Sequence, residues 1–172
     1  MSDLRRLTAV SLLLLAPFAL GACTGNLRTD ARVNELHTFD TFPIWWLGEE
    51  YQGEQLSDVI ENDTSVSFLY GSCQPSRDGG CAPPYQVVVE RCEPAMPTPV
   101  TLKGEPEVFR GAAYQEFVDS GHARLLTDDV MITLFIAAPS KVRDAAAELR
   151  SLNLTPAIEH GALMPPPRAC VR

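Results

Sequence analysis

The sequence predicts an α+β domain, an antiparallel β-sheet of about four to six strands with one main helix packed on one face, or alternatively a β-sandwich of the same strands. Three observations carry this. Apolar side chains alternate at Val66, Phe68 and Tyr70 and again at Tyr85, Val87 and Val89, the period-two signature of half-buried strands. Residues 131–137 are almost continuously apolar, as a central strand covered on both faces would be. A convincing helical period occurs once, where Val142, Ala145, Ala146, Leu149 and Leu152 share one face.

The chain opens with a short basic start at Arg5 and Arg6, an apolar run over residues 7–20, and small residues before a cysteine in Leu20-Gly21-Ala22-Cys23. That ending resembles the lipobox of bacterial prolipoproteins. The resemblance implies that the Cys23 thiol receives a diacylglyceryl group and that cleavage falls between Ala22 and Cys23. The protein is then extracytoplasmic, attached to the membrane by its lipidated N-terminal cysteine. A plain secretory signal or an uncleaved membrane anchor are the alternatives. The apolar run falls short of the roughly 20 residues of a spanning helix, and Pro17 would interrupt its hydrogen bonding. Two or three acyl chains on one cysteine anchor firmly without a second membrane signal.

This divides the chain into a signal peptide over residues 1–22, a flexible tether over 23–37 and a single globular domain over 38–172, long enough for a real core. The tether is expected because residues 23–37 are mostly small or charged and lack a sustained apolar period. Removing the signal takes away Asp3, Arg5 and Arg6 and moves the formal charge from −8 to −9. That balance argues against nucleic acid as a partner, since phosphate binding needs clustered Lys and Arg, and against a polybasic grip on anionic headgroups. The expected membrane contact is the lipid anchor.

In chain order, residues 38–47 concentrate Phe39, Phe42, Ile44, Trp45, Trp46 and Leu47 in a β-favouring run that Pro43 confines to the edge or start of a sheet. In a strand, adjacent Trp45 and Trp46 point to opposite faces, so at most one is a natural core residue, and the other is expected to pack against a neighbouring loop, with a surface binding platform as the alternative. Residues 48–61 carry Glu49, Glu50, Glu54, Asp58 and Glu61 and read as an acidic, turn-rich loop holding at most one irregular strand or turn. Residues 66–70 and 85–92 then read as paired antiparallel strands around a Gly- and Pro-rich excursion. Within that excursion, Tyr70-Gly71-Ser72-Cys73 and Gly79-Gly80-Cys81-Ala82-Pro83-Pro84 resemble a motif of secreted or lipid-anchored proteins from high-GC Gram-positive bacteria, which implies a disulfide-bearing loop and no known activity.

Residues 93–106 contain Pro94, Pro97, Pro99 and Pro106 and read as an extended connector. A short strand is expected over residues 108–110, a two-turn helix over 112–119, a hairpin around Asp128-Asp129, and the main helix from Lys141 to about Leu152 behind a Ser140 N-cap. From Asn153 onward the chain reads as irregular and ends close to Cys170.

The five cysteines are Cys23, Cys73, Cys81, Cys92 and Cys170. Acylating Cys23 leaves an even set, for which an oxidising compartment favours two disulfides among three connectivities. We expect Cys73 with Cys81, closing a short loop that Pro75 and Gly79-Gly80 fold back, and Cys92 with Cys170, pinning the proline-rich tail. Zinc is the competing reading, but no C-x-x-C and no nearby His pair accompanies these cysteines, and no metal ligand is assigned.

His37, His122 and His160 are isolated in sequence and read as surface or loop residues. The adjacent acids Glu49-Glu50 and Asp128-Asp129 read as turn or surface groups. No G-x-S-x-G elbow, S-x-x-K pair, calcium loop or glycine-rich phosphate loop occurs. No catalytic residue or cofactor is therefore assigned. The expectation is a non-enzymatic binding or interaction module of the bacterial cell envelope, acting through its acidic loop and exposed aromatics. An envelope hydrolase whose residues converge only in the fold is the alternative.

Overall fold

A computed structural model describes residues 27–75, 81–92, 104–118 and 120–167. Helix α1 (Leu27–Leu36) leads into β1 (Trp45–Trp46), β2 (Glu50–Tyr51), β3 (Glu54–Asn62), β4 (Ser65–Tyr70), β5 (Gln74–Pro75), β6 (Cys81–Ala82) and β7 (Tyr85–Arg91). The second half runs β8 (Glu107–Phe109), β9 (Ala112–Glu116), β10 (His122–Thr127), β11 (Val130–Ile136), α2 (Val142–Glu148) and β12 (Arg150–Ser151). Eight strands form one antiparallel sheet in the order β2-β3-β4-β7-β11-β10-β9-β8, while β1 pairs β12 and β5 pairs β6. The described residues are thus mostly antiparallel sheet with two short α-helices, an arrangement shared by both expected architectures. The main sheet has eight strands rather than four to six, because two polar stretches join it.

The buried face is built from cross-strand ladders. Val59, Phe68, Val87, Leu134 and Ala123 face one another in register from β3 to β10, and Val66, Val89, Ile132, Leu125 and Tyr114 form a second row from β4 to β9. All but Tyr114, at 2%, are fully buried. Such aligned pairs stabilise a sheet by roughly 0.2–1 kcal/mol each. Val142, Ala145, Ala146 and Leu149 join the same core, with α2 lying against β10 and β11. The strand pair expected at residues 66–70 and 85–92 is β4 with β7, and the hairpin around Asp128-Asp129 is β10 with β11. Strand β11 is central in the order, but Met131 and Phe135 on its second face remain half-buried, so only one face is fully covered.

Four expectations need correction. Residues 27–36, expected as tether, form helix α1, whose Thr29, Val33 and Leu36 share one buried face against β3. Thr29 Oγ1 donates to Ser57 O at 3.3 Å and the Arg32 guanidinium donates to Val59 O, so the helix satisfies carbonyls on the outer edge of β3. Residues 48–61 hold two paired strands rather than a loop with at most one irregular strand or turn. Gln52 and Gly53, at φ 53° and 83°, make the two-residue turn that joins β2 to β3, and β3 then pairs with β4 as far as Asn62.

The expected helix over 112–119 is strand β9, preceded by a turn at Arg110 and Gly111 with φ 53° and 89°. A Cβ on Gly111 would lie 2.5 Å from Met164 O, so this turn admits no side chain. The main helix is shorter than expected. Leu149 turns extended at φ −55° and ψ 133°, which frees Arg150 and Ser151 to pair with Trp46 and Trp45. Leu152 N continues the contact to Ile44 O at 2.9 Å.

Candidate functional site

Cys23, the expected lipidation site, and Cys170 lie outside the described residues. Cys73 follows β4 and Cys92 follows β7, and both are disulfide-bonded. Cys81 begins β6 opposite Pro75 in the register, and its side chain also lies outside the described set.

Both adjacent tryptophans are core residues, which corrects the expectation that at most one would be. Trp45 is fully buried and Trp46 is 8% exposed, because the β1–β12 ribbon lies over the core with Trp46 against Phe68 at 5.9 Å and Arg150 covering its other side. The three histidines sit on separate elements. His37 Nδ1 lies 3.1 Å from Leu152 O, and His160 Nδ1 is 3.7 Å from Glu148 Oε2. His122 is neither a loop nor a freely exposed residue: it sits half-buried on β10 between Phe117 and Phe135, where burial lowers its pKa. Among the described residues no three His, Cys, Asp or Glu side chains cluster as a metal site.

Two clefts formed by described residues offer room for a ligand. The first, about 530 Å³, lies where α1 passes the end of β3 and is lined by Arg32, Glu35, Phe39, Ile60, Glu61 and Asp63. It holds part of the acidity expected to be functional, and Ile60 is 47% exposed beside it. Its cation is committed elsewhere: Arg32 lies 3.6 Å from Asp58 and also donates to Val59 O.

The second cleft, about 460 Å³, lies beside the β1–β12 ribbon, where His37, Trp46, Arg150, Leu154, Ala157 and Glu159 come together. Asn153 builds its floor by donating to Phe39 O and Phe42 O at 2.8 and 2.9 Å and accepting from Ile44 N at 2.7 Å. Ser151 Oγ accepts from Ile158 N at 2.7 Å and closes the returning loop. Arg150 donates from Nη2 to Leu47 O at 3.1 Å, its guanidinium lies 5.8 Å from the Trp46 ring centroid, and its buried Nε has no partner. No acid stands within salt-bridge distance of it among the described residues.

Arg110 is the other conspicuous cation, but its role is internal. Its guanidinium donates to the carbonyls of Ala146, Ala147 and Leu149 at the end of α2 and to Glu159 and Ala162 beyond it. Sequence reasoning missed both arginines. Arg150 reads there as one more polar residue on the outer face of a helix, and Arg110 as the end of a short strand. Only the Arg110-Gly111 dipeptide hinted at a tight turn.

No protein-family model, curated protein or solved structure matches the chain, so no activity carries over from a relative.

Proposed function

We propose that the chain is a lipid-anchored, extracytoplasmic protein of the bacterial cell envelope that works as a non-enzymatic binding or interaction module, held to the membrane through acylated Cys23. The observation that carries this reading is the basic start, apolar run and Leu20-Gly21-Ala22-Cys23 ending of the first 23 residues. Helix α1 begins at Leu27, only four residues further on. At about 3.5 Å per residue, the chain between anchor and helix spans at most about 14 Å. An anchored domain would therefore sit close against the bilayer. Binding is favoured over hydrolysis because the histidines lie on separate elements, held by a backbone carbonyl, by aromatic rings and by a surface glutamate.

The test is metabolic labelling with a tagged fatty acid in a host that processes lipoproteins. Label is expected on the wild-type chain in the membrane fraction. Cys23→Ala should carry none and should leave that fraction or persist as an unprocessed precursor. A wild-type chain that never takes up label overturns the reading.

A further inference from the structure

We infer that the cleft beside the β1–β12 ribbon binds a carboxylate-bearing ligand with an apolar body, the carboxylate lying on the guanidinium of Arg150. The inference deepens the binding-module reading above and rests on it only for the claim that this protein binds rather than reacts.

A guanidinium has five N–H donors, and Arg150 uses one that the structure shows, Nη2 to Leu47 O. In a chain of formal charge −8, other arginines have found acids: Arg32 meets Asp58 and Arg143 meets Glu107. Arg150 has none within 4 Å among the described residues, although it is half-buried in a cleft. Removing part of a cation's water without supplying an anion leaves a site that gains when an anion arrives.

The group is also held in place before any ligand binds. Gly48, at φ 97°, approaches so closely that a Cβ there would lie 1.8 Å from Nη2, and Trp46 stands across from it. A cation clamped between backbone and ring has little rotamer freedom left to lose on binding. Leu154 and Ala157 give the cleft apolar wall for the body of the ligand, with Trp46 behind the guanidinium. Exposed Glu159 on the same lining is negative, so singly charged carboxylates are favoured over phosphate or other dianions.

The experiment uses the full chain in detergent micelles, with N-acetyl-leucine, N-acetyl-leucinamide and inorganic phosphate as probes. Binding is followed by calorimetry and by tryptophan emission, since Trp46 lines the cleft. N-acetyl-leucine is expected to bind at least tenfold more tightly than the amide, and phosphate more weakly than either. Arg150→Lys, which keeps the charge and loses the planar fork, should weaken N-acetyl-leucine tenfold. Because Arg150 also holds Leu47, a second variant spares the fold: Ala157→Glu places a carboxylate at an exposed lining position and should abolish binding.

Equal affinity for acid and amide, binding of neither, or an Ala157→Glu chain that still binds N-acetyl-leucine normally would overturn the inference. Absent binding together with intact fatty-acid labelling sinks this site and leaves the anchored module standing. Selective binding by a chain that takes up no label does the reverse.

Discussion

Replacing Arg110 with alanine is expected to destabilise the fold by about 3 kcal/mol. Its Nη1 donates to Ala146 O, Ala147 O and Leu149 O at 3.0, 2.9 and 2.8 Å, and the carbonyls of a helix's last turn have no intrahelical partner. Nη1 carries two hydrogens for these three acceptors, so the set amounts to about two charge-assisted bonds at about 1.5 kcal/mol each. The bonds to Ala162 O and Glu159 O, at 2.7 and 3.0 Å, are exposed and compete with water, so they add little. Burial holds the Arg110 pKa below the usual guanidinium range, a desolvation cost that argues against larger values.

Urea titration followed by emission from buried Trp45 and Trp46 measures the loss, and a melting curve should shift by about 9 °C, at about 3 °C per kcal/mol for a domain of this size. Arg110→Gly is the control. It removes the same bonds but relieves the left-handed backbone at φ 53°, so it should cost about 1 kcal/mol less than alanine. An alanine variant within about 1 kcal/mol of wild type would refute the assignment of this guanidinium as the tie between the β8–β9 turn and α2.

Two further outcomes are expected. Non-reducing peptide mapping should recover Cys73 with Cys81 and Cys92 with Cys170, and the swapped pairs would count against it. The second pair is favoured by what surrounds it: Cys92 N donates to Asp129 O at 2.8 Å, Asp128 N donates to Pro166 O at 3.1 Å, and Asp128 bridges Pro167, three residues before Cys170. For Glu90, burial raises the carboxyl pKa, so the folded value lies above the unfolded one of about 4.3. Its contribution to stability is fully present below that unfolded value and is lost as pH rises through the folded value. Glu90→Gln should therefore raise the melting temperature at pH 7, with the advantage disappearing toward pH 4. An equal melting temperature at pH 7 would contradict the burial assigned to this carboxylate.

Strands β4 and β7 were legible because each packs against the core and carries its apolar residues on alternate positions, as Val66, Phe68 and Tyr70 do, and β11 because residues 131–137 are almost continuously apolar, with β10 read as its hairpin partner across Asp128-Asp129. The polar strands were not. In β3 only Val59 is fully buried, so Glu54, Asp58 and Glu61 look like a loop until β4 supplies the backbone partners. In β9, Ala112 and Tyr114 alone face the core, and two alanines in a row suggest helix when propensity is the only guide. Helix α1 shows the same limit from the other side, since two buried aliphatic residues, Val33 and Leu36, are too few to announce a helix that an edge strand will cover.

What the sequence by itself determined was the pairing-prone central strands, the cysteine arithmetic and the expectation of an acylated Cys23, because each depends on residues close together along the chain. The tertiary structure decided the rest. Trp46 and Arg150 are 104 positions apart and meet across β1 and β12 only because α2 ends at Glu148, and the cleft they help to line belongs to that long-range contact. Periodicity reports which face of an element is buried. It says nothing about which distant element buries it, and that second choice placed the Arg150 guanidinium beside the Trp46 ring.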